Sequence, residues 1–183
     1  MAMSTSATAV LVIDMQVGVL ETCLDAAGVT RRVAALVERA RAGSVPVIWV
    51  QHVDADLPHG SPAWQLAPGL APRPDEPVVG KSFSDAFAGT TLRAELDARG
   101  VGRLVCAGAQ SDYCVGATLQ RAAVEGYAIA LVADAHTTED ACFAGVTIDA
   151  RQIIAHTHRT LGSLRRPGVE VELATHDTVA LKL

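Results

Sequence analysis

Aromatic residues make up only 4% of this 183-residue chain, and its 15 Lys and Arg are outnumbered by 20 Asp and Glu, for a formal net charge of −5. So few rings provide no base-stacking surface, and the scattered basic residues form no cationic stripe, so no nucleic acid partner is expected. No run approaches the eighteen or so uninterrupted apolar residues of a membrane span, and no membrane partner is expected either. Met1 to Thr8 lacks a basic stretch followed by a long apolar core. The segment is therefore not read as a leader, and the expected location is cytoplasmic. The four cysteines, at 23, 106, 114 and 142, form no C-x-x-C pair and no zinc-finger spacing. A disulfide framework is not indicated.

What the chain has is hydrophobic residues, half of the total, with charged residues at 19%. That composition describes one globular domain with a large core, covering residues 1–183. Ala9 to Ile13 is a continuous apolar run suited to a strand covered on both faces, and it ends at Asp14. Thr30 is placed to cap a helix through Val33, Leu36, Val37 and Ala40, closed by Gly43, and Val45 to Val50 reads as a second strand. Asp54 to Pro77, with six prolines and two glycines, is too rich in breakers for a regular element and long enough to be a functional loop.

Beyond the loop, Val78-Val79 is a short extended piece leading to Lys81, and Thr91 to Ala98 reads as a helix ended by Gly100. Leu104 to Ala107 is a strand, a helix carries Val115, Leu119 and Ala122, and Tyr127 to Val132 is a strand ending at Asp134. Glu139 to Thr160 reads as helical and Val169 to Leu173 as a last strand. The alternation predicts a three-layer α/β/α fold with a mainly parallel sheet. Such sheets place their sites at the carboxyl ends of the strands, where Asp14, Gln51, Asp134 and the turn before Cys114 all fall.

Cys114 stands out among the thiols. Gly108 breaks the preceding strand and Ser111 or Asp112 can cap the following helix, so Cys114 is expected in a first helical turn. Unpaired N–H groups and the helix dipole there would lower its pKa. The competing reading, a small buried hydrophobe, is assigned to Cys23, Cys106 and Cys142. Asp14 can serve as a proton carrier and Lys81 as the charge that keeps both groups ionised, although on its own Lys81 reads as a solvated surface lysine.

The motifs Leu11-Val12-Ile13-Asp14-Met15-Gln16, Gly80-Lys81-Ser82-Phe83-Ser84-Asp85-Ala86-Phe87 with Thr91-Leu92, and Gly108-Ala109-Gln110-Ser111-Asp112-Tyr113-Cys114-Val115 closely resemble those of the isochorismatase-like cysteine hydrolases. The resemblance runs from about residue 8 to about residue 160, in the family's order and spacing. It implies the isochorismatase-like, Rossmann-like form of the α/β/α fold and a catalytic triad of Asp14, Lys81 and Cys114. The aspartate would activate the thiol, the lysine would aid ionisation, and the cysteine would attack a carbonyl carbon and release ammonia or an amine. It further implies a cis peptide at Ala109-Gln110 that turns the Gln110 N–H toward the oxyanion beside the Cys114 N–H.

Departures from the family's branches narrow the expectation. Nicotinamidases hold a metal through an Asp-x-His pair and a later His, whereas this chain reads Gln51-His52-Val53-Asp54. No metal and no cofactor is therefore expected, a loop histidine being more often solvated or hydrogen-bonded. The isochorismate-cleaving branch works without a cysteine nucleophile, so retention of Cys114 argues against its vinyl-ether chemistry. The sequence resembles the metal-free members that act on carbamoyl, ureido and cyclic amide compounds. A hydrolase of non-amide bonds, or a non-enzymatic redox or binding module using the thiol, stays open.

Gln16, Gln51, Trp64, Phe83, Phe87 and Tyr113 are candidates for the substrate-binding wall. Ser111 keeps a hydroxyl, Asp112 reads as a helix-start residue, and His136, His156 and His158 receive no role. The expected partners are a small-molecule substrate and water, and the resemblance implies a homodimer or homotetramer. Cys114→Ala is expected to abolish turnover while circular dichroism stays native, and iodoacetamide is expected to label Cys114 far faster than the other three thiols. Equal labelling of all four would count against an activated nucleophile.

Overall fold

The computed structural model describes residues 7–182. Its centre is a six-stranded parallel sheet in the order β3-β2-β1-β4-β5-β8, formed by β1 (Ala7–Ile13), β2 (Val47–His52), β3 (Val78–Lys81), β4 (Val101–Ala109), β5 (Ala128–Thr137) and β8 (Val171–Ala174). The helices are α1 (Val17–Leu20), α2 (Ala26–Ala42), α3 (Leu92–Asp97), α4 (Gly116–Val124) and α5 (Ala150–Gly162). No helix among the described residues is long and apolar enough to cross a membrane.

The continuous apolar strands are explained by the layers on either side of the sheet. Val10, Val12, Trp49, Val105, Ala107 and Val132 point to one core, closed by Val29, Val33, Leu36, Val37 and Ala40 of α2. Their neighbours Leu11, Ile13, Ile48, Val50, Leu104 and Leu131 point to the other, closed by Leu92 and Leu96 of α3, Leu119 and Ala122 of α4, and Leu161 of α5. Alternate residues of each strand thus bury on opposite faces, each large side chain contributing about 1.5–3 kcal/mol.

Strand order fixes the location of the site. From β1 the chain runs outward to β2 and β3 on one side, then returns to the other side of β1 with β4 and β5. The two directions part between β1 and β4, which opens a crevice at the carboxyl ends of those strands. Asp14 follows β1 there with φ +48°, and Cys114 follows β4.

Several local expectations are corrected. Helix α2 begins at Ala26 rather than at Thr30, because Thr30 Oγ1 bonds back to the Ala26 carbonyl at 2.8 Å inside the helix. Residues 139–149 are not helical: β6 (Ala141–Phe143) and β7 (Val146–Ile148) form an antiparallel hairpin. Ala144 and Gly145 make its turn with φ +51° and +78°, and the capping box of Asp149 and Gln152 delays the helix start to Ala150. Strand β5 continues to Thr137, so Asp134 lies within it rather than after it.

The helix expected around Cys114 is also different. Ser111–Val115 forms one π-helical turn, in which the Val115 N–H reaches the Gln110 carbonyl at 3.1 Å, and neither Ser111 nor Asp112 caps α4. The proline-rich loop has no regular element, yet it is docked. Val17 and Gly18 donate to the carbonyls of Gln65 and Ala63, and Ala67 donates to that of Met15, each at 2.8 Å.

Gly108 lets β4 approach the end of β1. A Cβ at Gly108 would lie 2.0 Å from the Ile13 carbonyl oxygen, and its φ is +135°. Gly108→Ala is expected to lower the free energy of unfolding by about 3 kcal/mol or more in urea titration; a variant as stable as the parent would show that β1 and β4 can separate at this point.

Candidate active site

Three strands deliver the reactive groups. Asp14 comes from the end of β1, Lys81 from the end of β3, and Cys114 from the π turn after β4. Asp14 and Lys81 are 1% and 3% exposed, and Cys114 is half-buried. Lys81 Nζ lies 2.6 Å from Asp14 Oδ2 and donates to Cys114 Sγ at 3.1 Å. Lys81 is therefore not the solvated surface residue that its local sequence suggests. The peptide between Ala109 and Gln110 is cis.

Burial governs the ionisation of this cluster. Desolvation raises the Asp14 carboxyl above the ordinary aspartate range, against the lowering effect of Lys81. It also pushes the Cys114 thiol up to about 12, with the Asp14 carboxylate adding to the rise and Lys81 opposing it. The lowered thiol expected from a helix N-terminus is thus corrected: loss of water and a neighbouring carboxylate outweigh the lysine. Both effects favour the neutral thiol at rest. Asp14 Oδ1, buried and without a hydrogen-bond partner among the described residues, is free to receive a proton.

The groups open into a cavity of about 630 Å³ whose lining includes Cys114, His52, Tyr113, Ser84 and Glu139. Of the six proposed wall residues, only Tyr113, 58% exposed, lines it. Gln16 instead clamps His52, its Oε1 accepting from the His52 N–H at 2.7 Å and its Nε2 donating to the His52 carbonyl at 3.0 Å. Gln51 Nε2 donates to the Trp64 carbonyl at 3.0 Å. Trp64 anchors the loop and stacks on His59, with ring centroids 4.3 Å apart. Phe83 is 62% exposed, and Phe87 packs on the core beside Tyr127. Asp134 is occupied by His176, whose N–H and Nδ1 lie 2.8 and 2.7 Å from its carboxylate.

His52 was the principal omission. An Asp14 oxygen, a His52 ring nitrogen and Cys114 Sγ lie within 4.8 Å of one another, a convergence that a metal ion could share. Lys81 stands among them and bonds to all three, so the position is already taken by an ammonium group. The sequence signal of this histidine is the His52-x-Asp54 spacing, which lacks the family's metal-ligand order and reads as a solvated or hydrogen-bonded loop histidine, whereas His52 ends β2 beside Lys81. Behind the π turn, Ser111 Oγ lies 2.7 Å from His136 Nδ1, and His136 Nε2 lies 2.8 Å from His158 Nε2. Burial holds His136 down to about 3, so this backing is neutral. Among the other thiols, Cys23 and Cys106 are buried but Cys142 is exposed on the hairpin. Cys142 is thus open to an alkylating reagent as well as Cys114, contrary to the buried reading that its sequence suggested.

Residues 8–144 match the isochorismatase domain. The chain is 40% identical over 139 residues to streptothricin hydrolase of Streptomyces noursei, covering 72% of this chain and 50% of that protein. It is 31% identical over 140 residues to ureidoacrylate amidohydrolase of Methylobacterium radiotolerans, covering 58% and 54%. This chain spans about half the length of these curated relatives. The crystal structure of an isochorismatase from Pseudomonas putida superimposes with a TM-score of 0.87 at 27% identity, covering 94% of this chain and 90% of that one.

Were Asp14 the base that takes the thiol proton, it would have to be ionised, so its raised carboxyl is expected to place the acid limb of kcat/KM above the ordinary carboxylate range. Lys81→Met removes the group that lowers Asp14. It is expected to move that limb to higher pH and to reduce turnover by about 100-fold or more; an unmoved limb in the pH–rate profile would show that Lys81 does not control Asp14.

Proposed function

Because the chain belongs to the isochorismatase family, we propose that it is a cysteine hydrolase cleaving the C–N bond of a small linear or cyclic amide through an acyl-enzyme on Cys114. The observation that carries this reading is the single bonded cluster of Asp14, Lys81 and Cys114 in the crevice between β1 and β4. Amidohydrolases among the relatives support it.

In this reading Asp14 accepts the Cys114 proton as Sγ attacks the carbonyl carbon. Lys81 stabilises the sulfur anion as it forms, so the raised thiol is an activation cost met only with substrate in place. The Gln110 and Cys114 N–H groups hold the tetrahedral oxyanion. As the intermediate collapses, the C–N bond breaks and Asp14 returns the proton to the departing nitrogen, leaving a thioester. A water molecule, deprotonated by Asp14, attacks the thioester carbonyl; the C–S bond breaks, and the sulfur regains a proton from Asp14.

The cavity also indicates the kind of amide. Asp54, Asp56 and Glu139 line it, and among the described residues no Lys or Arg does, Lys81 being buried, bonded to Cys114 and paired with Asp14. Carboxylates repel an acidic substrate and attract an ammonium group. The substrate we favour therefore carries an amino group, unlike the ureidoacrylate of the relative named for it. A redox-sensing role is disfavoured by the raised, half-buried thiol. A cytoplasmic location belongs to the same reading and is supported by four free thiols. A homo-oligomer does too, supported by Phe143, Val146 and Ile148 exposed on the hairpin.

Ammonia or amine release should be measured on matched amides that differ only in carrying an ammonium, a neutral or a carboxylate substituent. The expected order of kcat/KM is ammonium, neutral, carboxylate, with at least about tenfold between the extremes, narrowing in Asp56→Asn and Glu139→Gln. Preference for the carboxylate member would overturn the assignment of substrate charge, and no release from any member would count against amide hydrolysis.

A further inference from the structure

We propose that His52 and Asp54 form a positioning relay that holds the Lys81 ammonium against Asp14 and Cys114, extending the catalytic machinery to five residues. An ammonium group has three N–H donors, and Lys81 directs them at three acceptors: Asp14 Oδ2 at 2.6 Å, Cys114 Sγ at 3.1 Å and His52 Nδ1 at 3.1 Å. Without the third, the buried cation would have an unpaired donor and freedom to rotate about its stem.

His52 can accept at Nδ1 only as the tautomer that carries its proton on Nε2. Asp54 selects that tautomer, its Oδ2 lying 2.9 Å from His52 Nε2. The other carboxylate oxygen, Oδ1, is fixed in turn by the N–H groups of Asp56 and Leu57 at 2.9 and 2.8 Å. Gln16 grips the His52 backbone from both sides, and the Val53 N–H donates to the Lys81 carbonyl at 2.8 Å. The ring is therefore held at the main chain, at Nε2 and at Nδ1. Direction passes in one sense, from loop backbone to Asp54, from Asp54 to His52, and from His52 to Lys81, while among the described residues neither His52 nor Asp54 hydrogen-bonds to the thiol.

The two residues can be separated by substitutions of opposite design. His52→Asn places a carboxamide oxygen near the former Nδ1, whereas His52→Ala leaves no acceptor. In Asp54→Asn the two backbone N–H groups claim the amide oxygen, so the NH2 faces His52 Nε2 and imposes the wrong tautomer on the ring. This inference rests on the amidase reading above, so it is tested in two ways, with Cys142→Ala as the background. One is steady-state kinetics on a neutral amide. The other is the rate at which iodoacetamide modifies Cys114, which needs no substrate. His52→Ala and Asp54→Asn are expected to lose about tenfold or more in kcat with KM changed less than about threefold, and to slow Cys114 alkylation similarly, while His52→Asn recovers most of both. If no amide is turned over but alkylation follows this order, the amidase reading fails and the relay stands. If His52→Asn is as impaired as His52→Ala, or if Asp54→Asn alkylates at the parental rate, the relay is overturned.

Discussion

A buried cation is the constraint on which the site depends. Lys81 has no exposed side-chain surface, and its partner Asp14 has 1%. Removing two charges from water costs several kcal/mol each unless their bonding capacity is filled, and removing one partner leaves the other uncompensated. The surrounding structure fills that capacity for the ammonium group through Asp14, Cys114 and His52. It leaves Asp14 Oδ1 without a hydrogen-bond partner among the described residues. The asymmetry gives the cluster its chemistry, for the cation is satisfied while the carboxylate keeps an acceptor in reserve.

The same burial reverses the usual account of an activated cysteine. Sequence context suggested a thiol ionised by a helix terminus, whereas Cys114 is held protonated by desolvation and by Asp14. A neutral thiol is a poor target for oxidants and alkylating agents, which act on thiolates. In the amidase reading, nucleophilicity is confined to the moment at which a bound carbonyl accepts the electron pair. The neutral Ser111, His136 and His158 chain behind the turn adds no further charge to upset that balance.

The layers and the parallel sheet were legible because buried parallel strands are written as continuous apolar runs, as in Ala9 to Ile13 and Leu104 to Ala107, whereas Gly108, read as a break, lies inside β4, which continues to Ala109. The three polar residues of the cluster were legible through motif order. What escaped was decided by contacts remote in sequence. The hairpin within residues 139–149 is the local exception, signalled by the Ala144-Gly145 turn and the β-branched Val146, Thr147 and Ile148. Gln16, Gln51 and Trp64 follow apolar runs or sit in the proline-rich loop, as pocket residues would, but they fasten that loop to the sheet. His52 gains meaning only when β3 lies beside β2 and brings Lys81 into register with it.

That register has a further consequence. Strand β3 is the sheet's edge, four residues long and paired only with β2. Edges open at lower free energy than centres, often without the rest of the domain noticing. The cation thus rides on an edge strand, while Asp14 and Cys114 follow the two innermost strands, β1 and β4. In the amidase reading, loss of that four-residue ladder would disarm the thiol before the inner strands part, so activity would be lost on heating ahead of the fold.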